Sequence, residues 1–286
     1  MSAISVLVVP YELGRLREGV GCGPEHLLEC GAEAALRSSG ATVDTRVIEL
    51  GERFNVSGSG EEDAAFELMR LVADGVRHAR DVGAFPVVLS GSCFAAVGVL
   101  AGLGEAAPGV VWFDAHADFN EPATTTFGYL DGMGLAILTG SAWQTMLTTV
   151  PDASPLPESR VVLAGARDID PPEVIRLAGS QIVHLTVDQL RSPEALVAAV
   201  SGISPEVTGL YVHLDLDVLD SSVATVNVYN SANGLDADHL DALIAALFQS
   251  FPVRAISVGT YDPAFDSEEK VPPIVLRILR TIAASR

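Results

Sequence analysis

The sequence predicts an α/β chain forming one domain over residues 1–286, with a mainly parallel sheet of about eight strands and helices on both faces. Three observations carry this reading. Short β-branched apolar runs recur along the whole chain without a break in the middle. Most are apolar at both alternating positions, the pattern of a strand covered on two sides. Longer stretches with helical spacing lie between them, as a parallel sheet with crossover helices requires.

The strand candidates are Ile4–Val9, Thr42–Leu50, Pro86–Ser90, Val110–Asp114, Val161–Gly165, Ile182–Leu185, Leu210–Asp215 and Ala255–Gly259. Glu62–Val82 reads as a helix because Phe66, Leu68, Met69, Val72 and Val76 fall on one side at a 3.6-residue period. Phe94–Leu103, Ser192–Val200, Asp236–Phe251 and Lys270–Ala284 have similar spacing. The acidic run Glu61–Asp63 suits a helix N-terminus, where the helix dipole favours negative charge. Gly51–Glu61, Asn120–Phe127, Pro151–Ser159 and Ser221–Gly234 read as loops.

Composition limits the function. The 286 residues carry 17 Lys+Arg against 37 Asp+Glu, a formal net charge of −20. Nucleic-acid binding needs clustered cations to replace counterions, so it is excluded as a class, as is docking on an anionic membrane. No apolar run reaches the ~18 residues of a membrane span. Met1–Pro10 lacks a basic start and a cleavage site and reads as the first strand. Three cysteines, an odd number and too few for a disulfide framework, point to a reducing cytoplasm.

In an open parallel sheet, ligands gather at the carboxyl ends of the strands. The run Val110–Phe113 is followed by Asp114-Ala-His116-Ala-Asp118, and Leu210–Leu214 is followed by Asp215-Leu-Asp217. Pro86–Leu89 runs into Ser90-Gly-Ser-Cys93. Four carboxylates and an imidazole cannot share a low-dielectric crevice without a counter-charge. One divalent cation resolves the repulsion and two resolve it better. A carboxylate-rich set with one imidazole suits Mn²⁺ better than a structural Zn²⁺ site. A pair of ions would activate water and polarise a substrate together.

These residues identify a resemblance to the ureohydrolase (arginase/agmatinase) family that runs over nearly the whole length. Gly19-Val-Gly-Cys-Gly-Pro24 resembles an early family turn, Asp114–Asp118 and Asp215–Asp217 its two metal motifs, and Gly132-Met133 followed by Leu135-Ala136 its Gly-Met-Pro-Leu-Ala segment. Ala166-Arg-Asp-Ile-Asp-Pro-Pro-Glu173 is similar to an arginase stretch. The resemblance implies a three-layer arginase-like fold, two Mn²⁺ per chain, and hydrolysis of a guanidino or amidino C–N bond by a metal-bridging hydroxide. It also implies assembly as a homotrimer or homohexamer. Carried over by position, Asp114 and Asp215 bridge the metals, Asp118 completes one, and His116 and Asp217 complete the other. Asp118 also relays a proton to the leaving amine, and Asn120, Thr125 and Asp170 recognise the amino-acid end of the substrate. That end favours an arginine-like compound over agmatine.

The departures from the pattern cluster at the same place. Cys93 stands where the family has a histidine ligand, and it is either a softer ligand or a buried inert thiol. Asp131 replaces the histidine of a His-Gly-Met segment, and either takes over its proton-transfer or substrate-contacting work or caps a helix. Thr260 falls where arginases carry a guanidinium-gripping glutamate, with Asp262 the substitute if the register slips. Phe127 and Tyr129 replace small polar residues. A cysteine at this metal position is similar to a branch that hydrolyses N-hydroxyarginine, whose lower pKa suits the loss of the glutamate. An agmatinase-like amidinohydrolase and a catalytically silent oligomer subunit are the competing readings. His213, on the strand before Asp215, reads as a core or supporting residue. Asp168 and Glu173 read as organisers of the loop that presents Asp170. Cys22 and Cys30 take no role.

Overall fold

The computed structural model describes residues 2–51, 54, 60–126, 128–203 and 207–286. Eight strands form one sheet: β1 (Ala3–Val9), β4 (Thr42–Val47), β5 (Phe85–Ser90), β6 (Pro108–Phe113), β7 (Val161–Ala164), β8 (Val183–Leu185), β9 (Gly209–Asp215) and β10 (Val253–Gly259). Their order is β4-β1-β5-β10-β9-β6-β7-β8, and every pairing is parallel. A two-stranded antiparallel ribbon, β2 (Tyr11–Glu12) and β3 (Arg15–Leu16), stands apart. Each expected strand is present. The run 42–50 is shorter as a strand than its apolar content suggested, because pairing with β1 ends at Val47.

Two helical layers cover the sheet. α1 (Gly23–Glu29), α2 (Ala32–Arg37), α8 (Pro193–Gly202), α9 (Ala237–Ser250) and α10 (Val271–Ala284) pack on the face that carries Val111, Phe113, Val212 and Leu214. α3 (Glu61–Asp81), α4 (Ala95–Leu103), α5 (Gly134–Leu138), α6 (Gln144–Leu147) and α7 (Pro171–Gly179) lie with the face that carries Val110, Trp112 and Tyr211. The strand period of two thus sorts each strand between two cores. Among the described residues no helix is long and apolar enough to cross a membrane.

Five helices, α1, α2, α5, α6 and α7, fall in stretches without an assigned helical period. Four of them are seven residues or fewer, too short for two full turns of apolar repeat to show. Part of the expected loop 51–61 lies outside the described residues, as does Phe127.

α4 is buried along its whole length and presses on α3 through glycines. A Cβ on Gly98 would sit 2.3 Å from the Met69 carbonyl oxygen, and one on Gly102 would sit 2.5 Å from that of Ala73. Gly98→Ala gains about 1 kcal/mol of helix propensity. Overpacking against a backbone atom costs about 1–3 kcal/mol. The net expectation is a loss of about 1 kcal/mol in urea denaturation; a more stable variant would show that the helices can separate freely.

Candidate active site

Register places the site. β6 and β9 are neighbours, with Trp112 opposite His213 and Phe113 opposite Leu214. Asp114 and Asp215 therefore leave the sheet side by side at its carboxyl edge. β5 delivers Ser90 and the turn to Cys93 beside them, and β10 delivers Gly259 and Thr260. Cys93, His116, Asp118, Asp131, Asp215, Asp217 and Thr260 all line one cavity of about 450 Å³. Asn120, Thr125, Tyr129 and Asp170 line it too. Asp114, at 1% exposure, is not part of that lining but lies directly behind it, 3.3 Å from His116 Nδ1.

The carboxylates are held by donors on the chain. Asp114 accepts from the Trp112 indole at 3.0 Å and from the His116 amide at 2.7 Å. Asp215 accepts from the Asp217 amide at 2.8 Å, from the Cys93 thiol at 3.1 Å and from the Thr260 hydroxyl. Asp217 accepts from the Ala115 amide at 3.1 Å. His116 Nδ1 lies 3.3 Å from Asp114 and 3.2 Å from Asp217.

Burial, followed by neighbouring negative charge, pushes the carboxyls of Asp114, Asp118 and Asp215 up from the usual range. Burial pushes the Cys93 thiol up as well. Asp217 goes the other way, because the charge and hydrogen bond of His116 outweigh its burial. Burial alone would lower His116, but Asp217 and Asp114 raise it. A cluster with this balance suits a cation. Asp118 Oδ2 is buried without a hydrogen-bond partner, an acceptor left for something the chain does not supply. Asp114, His116 and Asp217 form one group whose potential ligand atoms lie within 4.8 Å of one another. Cys93, Asp114 and His213 form a second on the same criterion. The donor set fits divalent metal ions.

The loop after β6 is fixed by its backbone. Asp118 has φ 49°, and its carbonyl accepts from the amides of Leu135 and Ala136 at 3.0 and 3.1 Å, at the start of α5. Glu173 accepts from the amides of Phe119 at 2.7 Å and Asp170 at 3.1 Å, so it organises this loop as the sequence suggested. Asn120 donates to Asp170 at 3.0 Å. Asp168 instead accepts from the Ser231 hydroxyl at 2.5 Å. Asp131 caps a helix, but it is α4 and not the one that follows it: its Oδ1 accepts from the Phe94 amide at 3.1 Å. Asp262 is spent on the Ala264 amide at 3.0 Å and is absent from the cavity lining, so the slipped register has no support.

Sequence reasoning missed the far wall. Tyr229, Asn227, Asn230 and Val228 line the cavity from the stretch 221–234, which read only as a loop. Tyr229 packs 5.7 Å from the Tyr129 ring and edge-on to His116 at 6.4 Å. Asn227 donates to the Thr260 carbonyl at 2.8 Å. Arg167 ties this loop down by donating to the carbonyls of Ser231 at 2.8 Å, Ala232 at 2.9 Å and Asp217 at 3.1 Å. No motif in the sequence marks these contacts, because they join segments distant in the chain: 33 residues apart for Asn227 and Thr260, and 65 for Arg167 and Ala232.

Asp131 gives a pH test. Burial raises its carboxyl from 3.8 to about 7, against amide donors at Phe94 and Cys93 and the Ser92 hydroxyl. The unfolded chain ionises from about pH 4 upward and the folded chain only near 7, so stability falls across that window and stays low above it. In metal-stripped protein, Asp131→Asn should raise the melting temperature by about 5 °C at pH 8 and leave it unchanged at pH 3. Equal shifts at both pH values would contradict a buried acid.

The comparisons with known proteins agree with this geometry. The Arginase family model matches residues 2–284. The arginase of Bacillus caldovelox is 28% identical over 294 residues, covering 99% of this chain and 98% of that one. The arginase of Brevibacillus brevis is 31% identical over 76% of each chain. The solved Bacillus caldovelox arginase superposes with a TM-score of 0.88 at 27% identity, over 99% of this chain and 98% of the other. Formimidoylglutamase of Bacillus subtilis, at 16% identity and a TM-score of 0.75, shares the fold. The chain belongs to the arginase family, whose members are metal-dependent hydrolases of amidino C–N bonds.

Proposed function

We propose that the chain hydrolyses the guanidino C–N bond of arginine or a modified arginine such as N-hydroxyarginine, releasing urea or a substituted urea, with two divalent cations, Mn²⁺ among them. The convergence of His116, Asp118, Asp215 and Asp217 at one cavity, with Asp114 grouped behind His116 and Asp217, carries the proposal. Ions bound there activate water at neutral pH and polarise the substrate. The remaining steps belong to the chain. Asp118 Oδ2, buried and unpartnered, is the atom that holds the attacking water and passes its proton to the leaving amine. Asp131, with a carboxyl near neutrality, is suited to carry that proton onward. Asn120, Thr125 and Asp170 offer donors and acceptors for an α-amino-acid end.

The guanidinium side supports a neutral group. Thr260 supplies a hydroxyl there, and its one proton is already engaged, with Asp215 and the Gly259 carbonyl both within reach as acceptors. A hydroxyguanidine can bind uncharged and has no need of a bidentate carboxylate. A catalytically silent oligomer subunit that keeps one metal is the second reading, favoured by the Cys93 and Thr260 hydrogen bonds that already cover Asp215. Assembly as a homotrimer or homohexamer belongs to the same proposal and rests on the family resemblance.

Incubation with arginine, N-hydroxyarginine and agmatine, with urea and hydroxyurea detected, tests the reading. Turnover of one of the two amino acids and not of agmatine is expected. No turnover by protein loaded with metal would favour the silent subunit. Asp118→Ala should lower kcat by at least about 100-fold with an unchanged circular dichroism melt. Retained turnover would remove Asp118 from the mechanism. Cys93→His should tighten Mn²⁺, since an imidazole suits that ion better than a thiolate. Equal affinity in a Mn²⁺ titration would show that the thiol is no ligand.

A further inference from the structure

We infer that His213 is a metal ligand and supplies the imidazole for the ion on the Cys93 side, so that this ion is held by nitrogen, sulfur and carboxylate together. The inference rests on the two-ion reading above and goes beyond it in naming the ligand. His213 lies at 2% exposure in the middle of the sheet. A ring nitrogen of His213, the Cys93 sulfur and an Asp114 oxygen lie within 4.8 Å of one another. The second group, Asp114 with His116 and Asp217, shares Asp114. Two ions that share Asp114 would then each have one imidazole.

The two ring nitrogens have different fates. Nδ1 is 2.9 Å from Ser257 Oγ and 3.4 Å from the Tyr211 hydroxyl. Nε2 is buried and has no partner. Trp112, His213 and Ser257 sit opposite one another on three adjacent strands, one rung beneath Asp114 and Asp215. Period two points Tyr211, His213 and Asp215 to the same face, with successive members ~6.6 Å apart along the strand. The Trp112 indole stacks on the imidazole at 3.8 Å and donates to Asp114, so one residue fixes the ring plane and the neighbouring carboxylate. A ligating histidine characteristically has one nitrogen oriented by a protein hydrogen bond and the other free for the metal. His213 has that arrangement. A histidine serving only as core would leave Nε2 unsatisfied where a phenylalanine leaves nothing.

The donor set also sets a preference. Thiolate and imidazole are softer than the oxygen ligands around the His116 side, so the Cys93-side position should favour Co²⁺ or Zn²⁺ over Mn²⁺. The two positions then differ in ion.

The test uses the full chain, stripped of metal and dialysed against Co²⁺ or Mn²⁺. Bound ions are counted by elemental analysis, and the thiolate-to-cobalt absorption band reports the Cys93 side alone. Wild type should take up two cobalt ions. His213→Gln should weaken one of them by at least about 10-fold and diminish the thiolate band, with the other ion unaffected. Ser257→Ala, which frees the ring without touching the ion, should weaken the same ion less. Unchanged affinity and an unchanged band in His213→Gln would overturn the inference and leave the two-ion reading intact. No cobalt bound by wild type would overturn both. If His213→Gln does not fold, X-ray absorption of cobalt-loaded His116→Gln decides: one imidazole remaining supports His213 as ligand, and none refutes it.

Discussion

Two adjacent parallel strands ending at one level impose the dominant constraint on this molecule. β6 and β9 run in register, so Asp114 and Asp215 emerge together, each with a second carboxylate within four residues. Two unit charges 4 Å apart repel by about 4 kcal/mol at an effective dielectric of about 20. A hydrogen bond to a charged group returns about 1.5–3 kcal/mol. The amides of Ala115, His116 and Asp217, the Trp112 indole, the Cys93 thiol and the Thr260 hydroxyl together offset much of this repulsion. They do not reach Asp118 Oδ2. The acid cluster is nearly self-supporting as a scaffold and incomplete as a site, which is the condition for binding a cation without unfolding in its absence.

The same constraint explains where backbone strain sits. Asp118 has φ 49° and Thr260 has φ 63°, both in the left-handed region. Aspartate tolerates this conformation, but a β-branched threonine rarely adopts it. Asp118 lies five residues past the end of β6 and Thr260 directly follows β10, and each places its carboxylate or hydroxyl in the cavity at the sheet edge. The Thr260 amide accepts this position by donating to the Ser90 carbonyl at 3.2 Å, and its own carbonyl accepts from Asn227. Strain of this kind persists where the surroundings over-determine it, and a rigid parallel sheet with two cores provides that surrounding.

Much of this was legible in the sequence, for a physical reason. Strands covered on both faces must be apolar throughout, so a sudden Asp-x-His-x-Asp after Val110–Phe113 marks a strand end, and a second Asp-x-Asp after Leu210–Leu214 favours a ligand there over a mere turn. The site residues nearest the sheet inherit that clarity. Asp131 was half legible: its acidity was plain, but its partner, the Phe94 amide, is 37 positions away, at the start of α4. The short helices α1, α2, α5 and α6 were illegible because their burial comes from neighbours and not from a repeat of their own. His213 was the hardest. One histidine in an apolar run reads as core until the cross-strand rung with Trp112 and Ser257 is known, and register is a property of the pairing and not of any single strand.

Chemistry and recognition are built from different materials here. The residues that converge on charge come from strand ends whose positions the sheet dictates. The residues that close the cavity, Tyr229, Asn227 and Asn230, come from the 221–234 loop, and that loop is held by Arg167 through backbone carbonyls. Carbonyl contacts do not depend on side-chain identity, so the loop can change its lining while keeping its path. Among the described residues no lysine or arginine lines the cavity, while the rings of Tyr129 and Tyr229 pack together in its wall. A lining of this kind is compatible with a cationic or neutral group at the carboxylates, and the loop residues shape the rest of the cavity. Substrate choice is therefore free to change with the loop alone, while the carboxylate cluster stays fixed by the register of β6 and β9.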